Sequence, residues 1–390
     1  MGSVLMAQTF IQEGEKIMSK AVQYCTRCLT PSTRPRVVFN EESVCNACQW
    51  AEKKKSIDWA QKWNKLEKLC DEFRRKDDFD VIVPCSGGKD GSYVAWRMKH
   101  DLGMHPLCIT VSPPLQTEIG RRNLDNFRNS GFDLIEIRPN PEIYRRLCKR
   151  MFVEQARAKF PFVIAISTAV AHVALKFDIP FIIYGEEGET EYGGSDKYVD
   201  QMFMDSESMV KVFHEGNLLS EYLDEYSKAD LKWWLLPEED NLKKLRITWW
   251  SKWESWDDQL HRDLAIEKCG LQTSSGEIGT FTDYAQLDDI LQDLHMYECF
   301  IKFGYGRATA DCNLGIKGGR MSREEAVEIV KEKDGAFPEN YLGNYLEYFD
   351  MNEEEFWRVI DSFANIDILE KVDGRWRLRP AVINALEKGN

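Results

Sequence analysis

The sequence predicts an α/β domain with a parallel sheet, preceded by a small cysteine module and followed by a mostly helical region. Three observations predict it. Short β-rich runs, DVIVPC (80–85), PLCITV (106–111), DLIEI (133–137) and PFIIYG (180–185), alternate with helical stretches such as SYVAWRMKHDLG and EIGRRNLDNFRNSG. Apolar strands spaced by helices of that length make βαβ units, whose sheet is parallel and covered on both faces. Ahead of them, YCTRC and VCNAC place two CxxC pairs, and from about residue 205 the chain turns acidic, tryptophan-rich and helical, with little that reads as strand.

Each segment has its own expectation. Residues 1–20 are expected to be a disordered leader, 21–50 the cysteine module, and 51–78 a charged amphipathic linker helix. Residues 79–204 are expected to form the α/β domain, and 205–390 a helical substrate or partner region. The net charge of -14 disfavours an extended nucleic-acid footprint, so no nucleic acid is expected as partner. No apolar run approaches the ~18 residues of a membrane span. The opening residues lack the order of a secretory signal. Eleven cysteines without such a signal point to a reducing compartment, the cytoplasm.

Cys25, Cys28, Cys45 and Cys48 form the two CxxC pairs. Each pair makes a knuckle aiming two thiolates at one point, and two knuckles complete a tetrahedral zinc site. So short a module cannot bury enough apolar surface to fold alone, so the metal supplies folding energy. Four protein ligands leave no open position, which makes this Zn²⁺ structural. Most of the other cysteines, among them Cys70, Cys108, Cys148, Cys269, Cys299 and Cys312, read as core residues.

The run Val81-Ile82-Val83 leads into Ser86-Gly87-Gly88-Lys89-Asp90-Gly91-Ser92 and then a helix. The spacing matches neither GxxxxGK[ST] nor GxGxxG. It still has the parts of an anion site. Gly87 and Gly88 let backbone N–H groups approach a ligand, and the following helix adds its positive end. Ser86 and Ser92 bring hydroxyls, and Lys89 a compact charge. Asp90 reads either as a helix cap or as help in placing Mg²⁺. The plainer alternative is a βα turn capped by Asp90.

This run resembles the pyrophosphatase loop (PP-loop, SGGxDS) of ATP-using adenylating enzymes, such as asparagine and GMP synthetases and tRNA thiolases. It departs from that pattern by Gly91, inserted before the final serine. The resemblance implies a Rossmann-like fold of the adenine nucleotide alpha hydrolase type and cleavage of ATP between its α and β phosphates. It makes Lys89 and Asp90 catalytic and gives Ser86, Gly87, Gly88, Gly91 and Ser92 to the phosphates. It also implies adenine at the end of the second strand, Thr110-Val111-Ser112. At the end of the fourth run, Gly185, Glu186, Glu187 and Glu191 are candidates for Mg²⁺ or substrate; the plainer reading is a solvated loop.

ISTAVAHVAL (166–175), YGEEGETEYGG (184–194), FIKFGYGRATADCNLGIKGGRMSREEAVEIVKEKDG (300–335) and FPENYLGNYLEYFDMNEEEFWRVIDSF (337–363) extend the comparison. With the CxxC pairs ahead of the loop, they resemble the N-acetyl sugar amidotransferases of bacterial surface-glycan biosynthesis, from about residue 21 to 390. That resemblance implies conversion of an acetamido group on a nucleotide-activated sugar into an acetamidino group. ATP adenylates the amide oxygen, ammonia attacks, and AMP leaves. It also implies separate ammonia suppliers, a glutaminase and a cyclase-like protein similar to the subunits of imidazole-glycerol-phosphate synthase, since no Cys–His–Glu signature is visible here.

For the sugar, the tryptophan-rich stretch 233–256 offers Trp250 as a stacking face, against core packing as the plainer role. Arg307, in FGYGRATADC, offers a guanidinium to a diphosphate or carboxylate, against a surface ion pair. Two alternatives share parts of this sequence: a tRNA thiolase-type adenylating enzyme and a non-catalytic ATP-binding scaffold.

Overall fold

The computed structural model describes residues 21–216, 219–275 and 278–389; the expected leader lies outside the described residues. Five strands form one parallel sheet: β1 (Val81–Pro84), β2 (Pro106–Val111), β3 (Asp133–Ile137), β4 (Phe181–Tyr184) and β5 (Arg246–Trp249). Their order is β3-β2-β1-β4-β5. The chain runs outward from β1 through β2 to β3, then crosses back to start β4 on the other side of β1. The strand order therefore reverses between β1 and β4, and a crevice opens at their carboxyl ends.

Helices cover both faces. The chain enters through the cysteine module into α1 (Asn46–Lys54) and α2 (Trp59–Phe73). Then α3 (Lys89–His100) follows β1, α4 (Glu118–Asn129) follows β2, and α5 (Pro141–Gln155) and α6 (Phe160–Lys176) connect β3 to β4. Strand side chains alternate between faces. Ile82, Ile109, Val111, Ile182 and Ile247 point into a core shared with α5 and α6. Val81, Val83, Cys108, Phe181 and Ile183 point the other way, against α2 and α3. Each such side chain, fully buried, stabilises by roughly 1.5–3 kcal/mol.

Two boundaries differ from the sequence expectation. Residues 51–78 are not one linker helix. The chain breaks after α1, Asp58 restarts it as N-cap by accepting the Gln61 N–H at 2.9 Å, and Leu66, Leu69 and Cys70 of α2 are buried in the second core. The sheet also does not end at 204, because β5 pairs with β4 from Phe181↔Arg246 to Tyr184↔Trp249. RITW is a short run just after the charged stretch EEDNLKK, so only its partner strand makes it a strand. An antiparallel hairpin, β6 (Leu369–Val372) with β7 (Arg375–Leu378), adds strand to the region expected to be helical.

Beyond the sheet lie α7 (Gly188–Tyr192), α8 (Asp258–Cys269), α9 (Leu291–Phe303) and α10 (Arg307–Lys317), followed by α11 (Arg323–Lys333), α12 (Leu342–Phe349), α13 (Glu353–Ser362) and α14 (Pro380–Lys388). Among the described residues, no helix is long and apolar enough to cross a membrane. The cysteine module is docked, not tethered. Arg36 grips Glu189 at 2.6 and 3.0 Å, Asn46 donates to the Gly194 carbonyl, and Trp50 and Lys54 both hold Glu191. Leu29 N–H also donates to Asn313 of α10 at 2.8 Å.

Candidate active site

The glycine loop sits at the mouth of the crevice. Gly87 has φ +84, and a Cβ there would lie 2.6 Å from the Leu124 nitrogen and 2.7 Å from the Asn123 carbonyl carbon, both backbone atoms. Gly88 is the N-cap of α3, and no side chain caps it. The first-turn N–H groups thus face the crevice without a side-chain partner, the arrangement that binds anions. Ser86 is exposed at the loop's edge.

Gly91, the extra residue, serves packing. A Cβ on it would be 2.8 Å from both the Cys85 Cα and the Pro84 carbonyl oxygen, so glycine lets α3 lie directly on the end of β1. The next residue, Ser92, is fully buried, its hydroxyl 3.8 Å from the Cys85 sulfur. The Ser92 hydroxyl is thereby turned away from the ligand side of the loop, which corrects the expectation that it contacts phosphate, while the Gly91 N–H stays in the first turn of α3.

Gly87→Ala is expected to lose about 1–2 kcal/mol from its left-handed backbone and about 1–3 kcal/mol more from overpacking. Gly88→Ala, whose Cβ would meet only the Ser86 hydroxyl at 3.4 Å, is expected to stay near the native stability. Chemical denaturation of the two variants checks the contrast.

The charged centre lies just inside the loop. Lys89 Nζ contacts both Asp90 carboxylate oxygens at 2.5 and 2.6 Å, and His261 Nδ1 lies 3.3 Å from Asp90 Oδ1. His261 comes from α8, is fully buried, and is flanked by Tyr93 and Trp256, with ring centroids 4.0 and 4.1 Å away. Burial alone would push the Asp90 carboxyl up, but Lys89 and His261 together hold it well below the carboxylate range. Lys89 also stands over the Tyr284 ring at 5.3 Å.

The end of β4 closes against this centre. A Cβ on Gly185 would lie 3.1 Å from Trp256 and 3.4 Å from the Asp90 Cβ. Next to it, burial and the charge of Asp90 push Glu186 up to about 7, against the pull of Lys89 and Arg307. Folding therefore favours the protonated Glu186. Its stabilising share is full below pH 4.5 and is lost as the pH rises to about 7. Glu186→Gln is expected to be ~2 kcal/mol more stable than the native chain well above neutrality, with the two melting curves converging toward pH 4.5.

The other rim acids are spent on structure. Glu187 caps α7, accepting the N–H groups of Glu189 and Thr190 at 3.1 and 3.0 Å, with Lys252 at 3.6 Å. Glu191 takes Trp50 Nε1 at 2.9 Å and Lys54 at 2.7 Å, which joins the cysteine module to the rim. Trp250 is wholly buried, its Nε1 donating to Glu254 at 2.7 Å, and presents no face to a sugar. These three expectations are corrected by the partners the residues already have; Trp256 is the tryptophan at the centre. Thr110 and Val111 are buried at the end of β2, and Ser112 donates its N–H to Ile137 and its hydroxyl to Glu136.

The C-terminal segment supplies the opposite wall. Arg307 opens α10 with its Nε 2.9 Å from Asp311, which also accepts the Thr280 hydroxyl at 2.6 Å. Tyr284 and Arg320 both donate to Asp258 of α8. His261, Asp258, Tyr284 and Trp256 escape sequence reasoning because no spacing motif joins them; only packing of α8 on α3 brings them to the loop.

At the far side of the rim, the four cysteine sulfurs of the module lie within 4.8 Å of one another, all buried. The Cys28–Cys45 and Cys25–Cys48 sulfurs are 3.6 and 3.9 Å apart. Tetrahedral Zn–S bonds of about 2.3 Å require sulfurs about 3.8 Å apart, so the donor set fits zinc. The N–H groups of Arg27, Cys28 and Cys45 donate to Cys25 Sγ at 3.4, 3.5 and 3.2 Å, as in a knuckle that steadies a thiolate.

Residues 278–382 match the family model described as "LPS biosynthesis protein WbpG-like, C-terminal domain". That segment of the chain is similar to a WbpG-like C-terminal domain. The segment contains Thr280, Tyr284, Arg307, Asp311 and Arg320, the wall facing the glycine loop, and it supports the family that the sequence resembles. A search of curated proteins finds no match. Among solved structures, a chain described as a predicted subunit of tRNA methyltransferase from Methanocaldococcus jannaschii is 15% identical, with a TM-score of 0.30, over 57% of this chain and 88% of its own. That likeness is too loose to place any residue or activity on this chain.

Proposed function

We propose that this protein is an ATP-dependent amidotransferase of surface-glycan biosynthesis that turns the acetamido group of a nucleotide-activated sugar into an acetamidino group. One observation carries the reading. Lys89 stands over Tyr284 of the WbpG-like segment, and the charges of Asp90, Lys89 and Arg307 all act on Glu186, beside a helix N-terminus that no side chain caps. An amide oxygen is a poor leaving group until it is adenylated, so a site for this chemistry must stabilise departing pyrophosphate. The Gly87–Gly88 backbone and Lys89 supply donors and charge where that negative charge develops.

In the present arrangement Lys89 is neutralised by Asp90. Anionic phosphates give Lys89 a second partner, which frees Asp90 to face a cation. Asp90 and Glu186 are the carboxylates that would hold Mg²⁺, a hard cation that neutralises phosphate charge. Arg307 is left to steer the diphosphate of the sugar nucleotide, in exchange for part of its contact with Asp311. The four buried cysteines of the module would hold structural zinc. Ammonia would come from the glutaminase and cyclase-like partners in a cytoplasmic setting, where the thiols stay reduced.

The test is incubation with ATP, ammonium and a panel of nucleotide-activated N-acetyl sugars. The reading predicts AMP and pyrophosphate, and a sugar lighter by the exchange of O for NH. ADP as the product, or AMP formed only when tRNA is added, would sink it.

A further inference from the structure

The chain has a second chemically distinctive cluster, on α9 and outside the crevice. His295, Glu298 and Cys299 stand at relative positions i, i+3 and i+4, so one helix face presents all three. Cys299 Sγ lies 3.8 Å from His295 Nε2, and His295 Nδ1 lies 3.7 Å from a Glu298 oxygen. Glu298 is completely buried, and its two oxygens accept the Ala158 N–H at 3.0 and 3.2 Å, so the carboxylate cannot turn away. The order carboxylate, imidazole, thiol is the one that makes a sulfur nucleophilic. Contiguity hides it in the sequence, where HMYEC reads as ordinary helix.

Cys299 differs from the other ten cysteines in being only partly buried, where they are buried. Six of those ten lie outside the cysteine module, and burial pushes all six thiols up. Burial works against a thiolate at Cys299 too, but His295 and then Lys302 outweigh it and lower its pKa. The Lys302 ammonium is fixed by the carbonyls of Gln155 and Ala156 at 3.1 and 2.8 Å. The charges facing this spot are His295, Glu298 and Lys302 from α9, the Arg157–Glu215 ion pair, and Tyr305 with Arg34 and Arg36.

We propose that Cys299 is a nucleophilic thiolate site that hydrogen peroxide modifies, with His295 as its proton donor. The sulfur attacks one peroxide oxygen and the O–O bond breaks. That oxygen stays on sulfur as a sulfenic acid, while the departing hydroxide takes the imidazolium proton and leaves as water. Sulfur loses two electrons, peroxide gains them, and the imidazolium and thiolate charges cancel. A small thiol reverses the change by condensing with the sulfenic acid, releasing water, and then exchanging the resulting disulfide.

The experiment uses the purified full chain. Brief iodoacetamide treatment across a pH series, followed by peptide mass mapping, is expected to place the label on Cys299 and to keep labelling it below the pH where an ordinary thiol of pKa about 8.5 falls silent. Peroxide with a sulfenic-acid trap is expected to tag the same residue. His295→Gln is expected to move the labelling midpoint upward and slow labelling near neutrality about tenfold, with the melting curve as the check on folding. Labelling of Cys299 with an ordinary thiol's midpoint in the native chain, or no trapped sulfenic acid, would overturn the proposal without any variant.

Discussion

Lys89→Ala is expected to lower the rate of AMP formation on the order of 10²–10³-fold while leaving the fold and the cysteine module intact. The size follows from removing one preorganised charge from a site where negative charge develops, which costs about 3–4 kcal/mol of barrier. The selectivity follows from position. Lys89 is the first residue of α3, touches Asp90, and stands over Tyr284 and Trp256. None of these contacts holds the sheet together. Loss of Lys89 removes the strongest charge beside Asp90, so the Asp90 carboxyl should rise toward its ordinary range. The measurement is AMP formation against pH, with melting temperature alongside. Turnover within a few-fold of the native rate would remove the loop from the chemistry.

Cys45→Ser is expected to release the metal of the module, lower the melting temperature, and slow AMP formation on the order of 10²-fold, although Cys45 touches nothing in the crevice. Metal binding in small zinc modules contributes about 10–16 kcal/mol of folding free energy. Here the loss is transmitted. The module holds Glu189 through Arg36, Glu191 through Trp50 and Lys54, and the Gly193 and Gly194 carbonyls through Arg34 and Asn46. All of these lie in the ten residues after β4, and Glu186 stands at the start of that loop. A displacement of about 1 Å at a reacting centre is enough for a loss of this order. Metal content, melting curve and AMP rate measured on one preparation separate the parts. Unchanged turnover in metal-free protein would make the clamp irrelevant to the site.

Much of the architecture was legible because it follows from local chemistry. The βαβ alternation and the glycine turn after β1 are short-range patterns, and the CxxC spacing carries its own geometry. The parallel sheet, the cysteine cluster and the loop at the switch point are where that reading put them. The rest depended on long-range packing. RITW becomes a strand only beside β4, and α2 becomes core only because Leu66 and Leu69 are buried in one cluster with β1 and β4 residues and Phe73 stacks on Phe181. Glutamate-rich spacing after β4 could not say which carboxylate faces the loop. Glu187 caps a helix, Glu189 and Glu191 bind the cysteine module, and Glu186 alone of the four answers to Asp90. The same holds for the tryptophans, where Trp250 and Trp256 look alike in sequence and differ only in what they pack against.

The oxygen balance of the reaction tests the central claim most directly. A nucleotide-activated sugar whose acetamido oxygen carries heavy-isotope label is incubated with the protein, ATP and ammonium, and the AMP is analysed by mass spectrometry. Adenylation of the amide oxygen predicts that the label appears in AMP and leaves the sugar. Label in phosphate or pyrophosphate, or label that stays on the sugar while AMP forms, would contradict it.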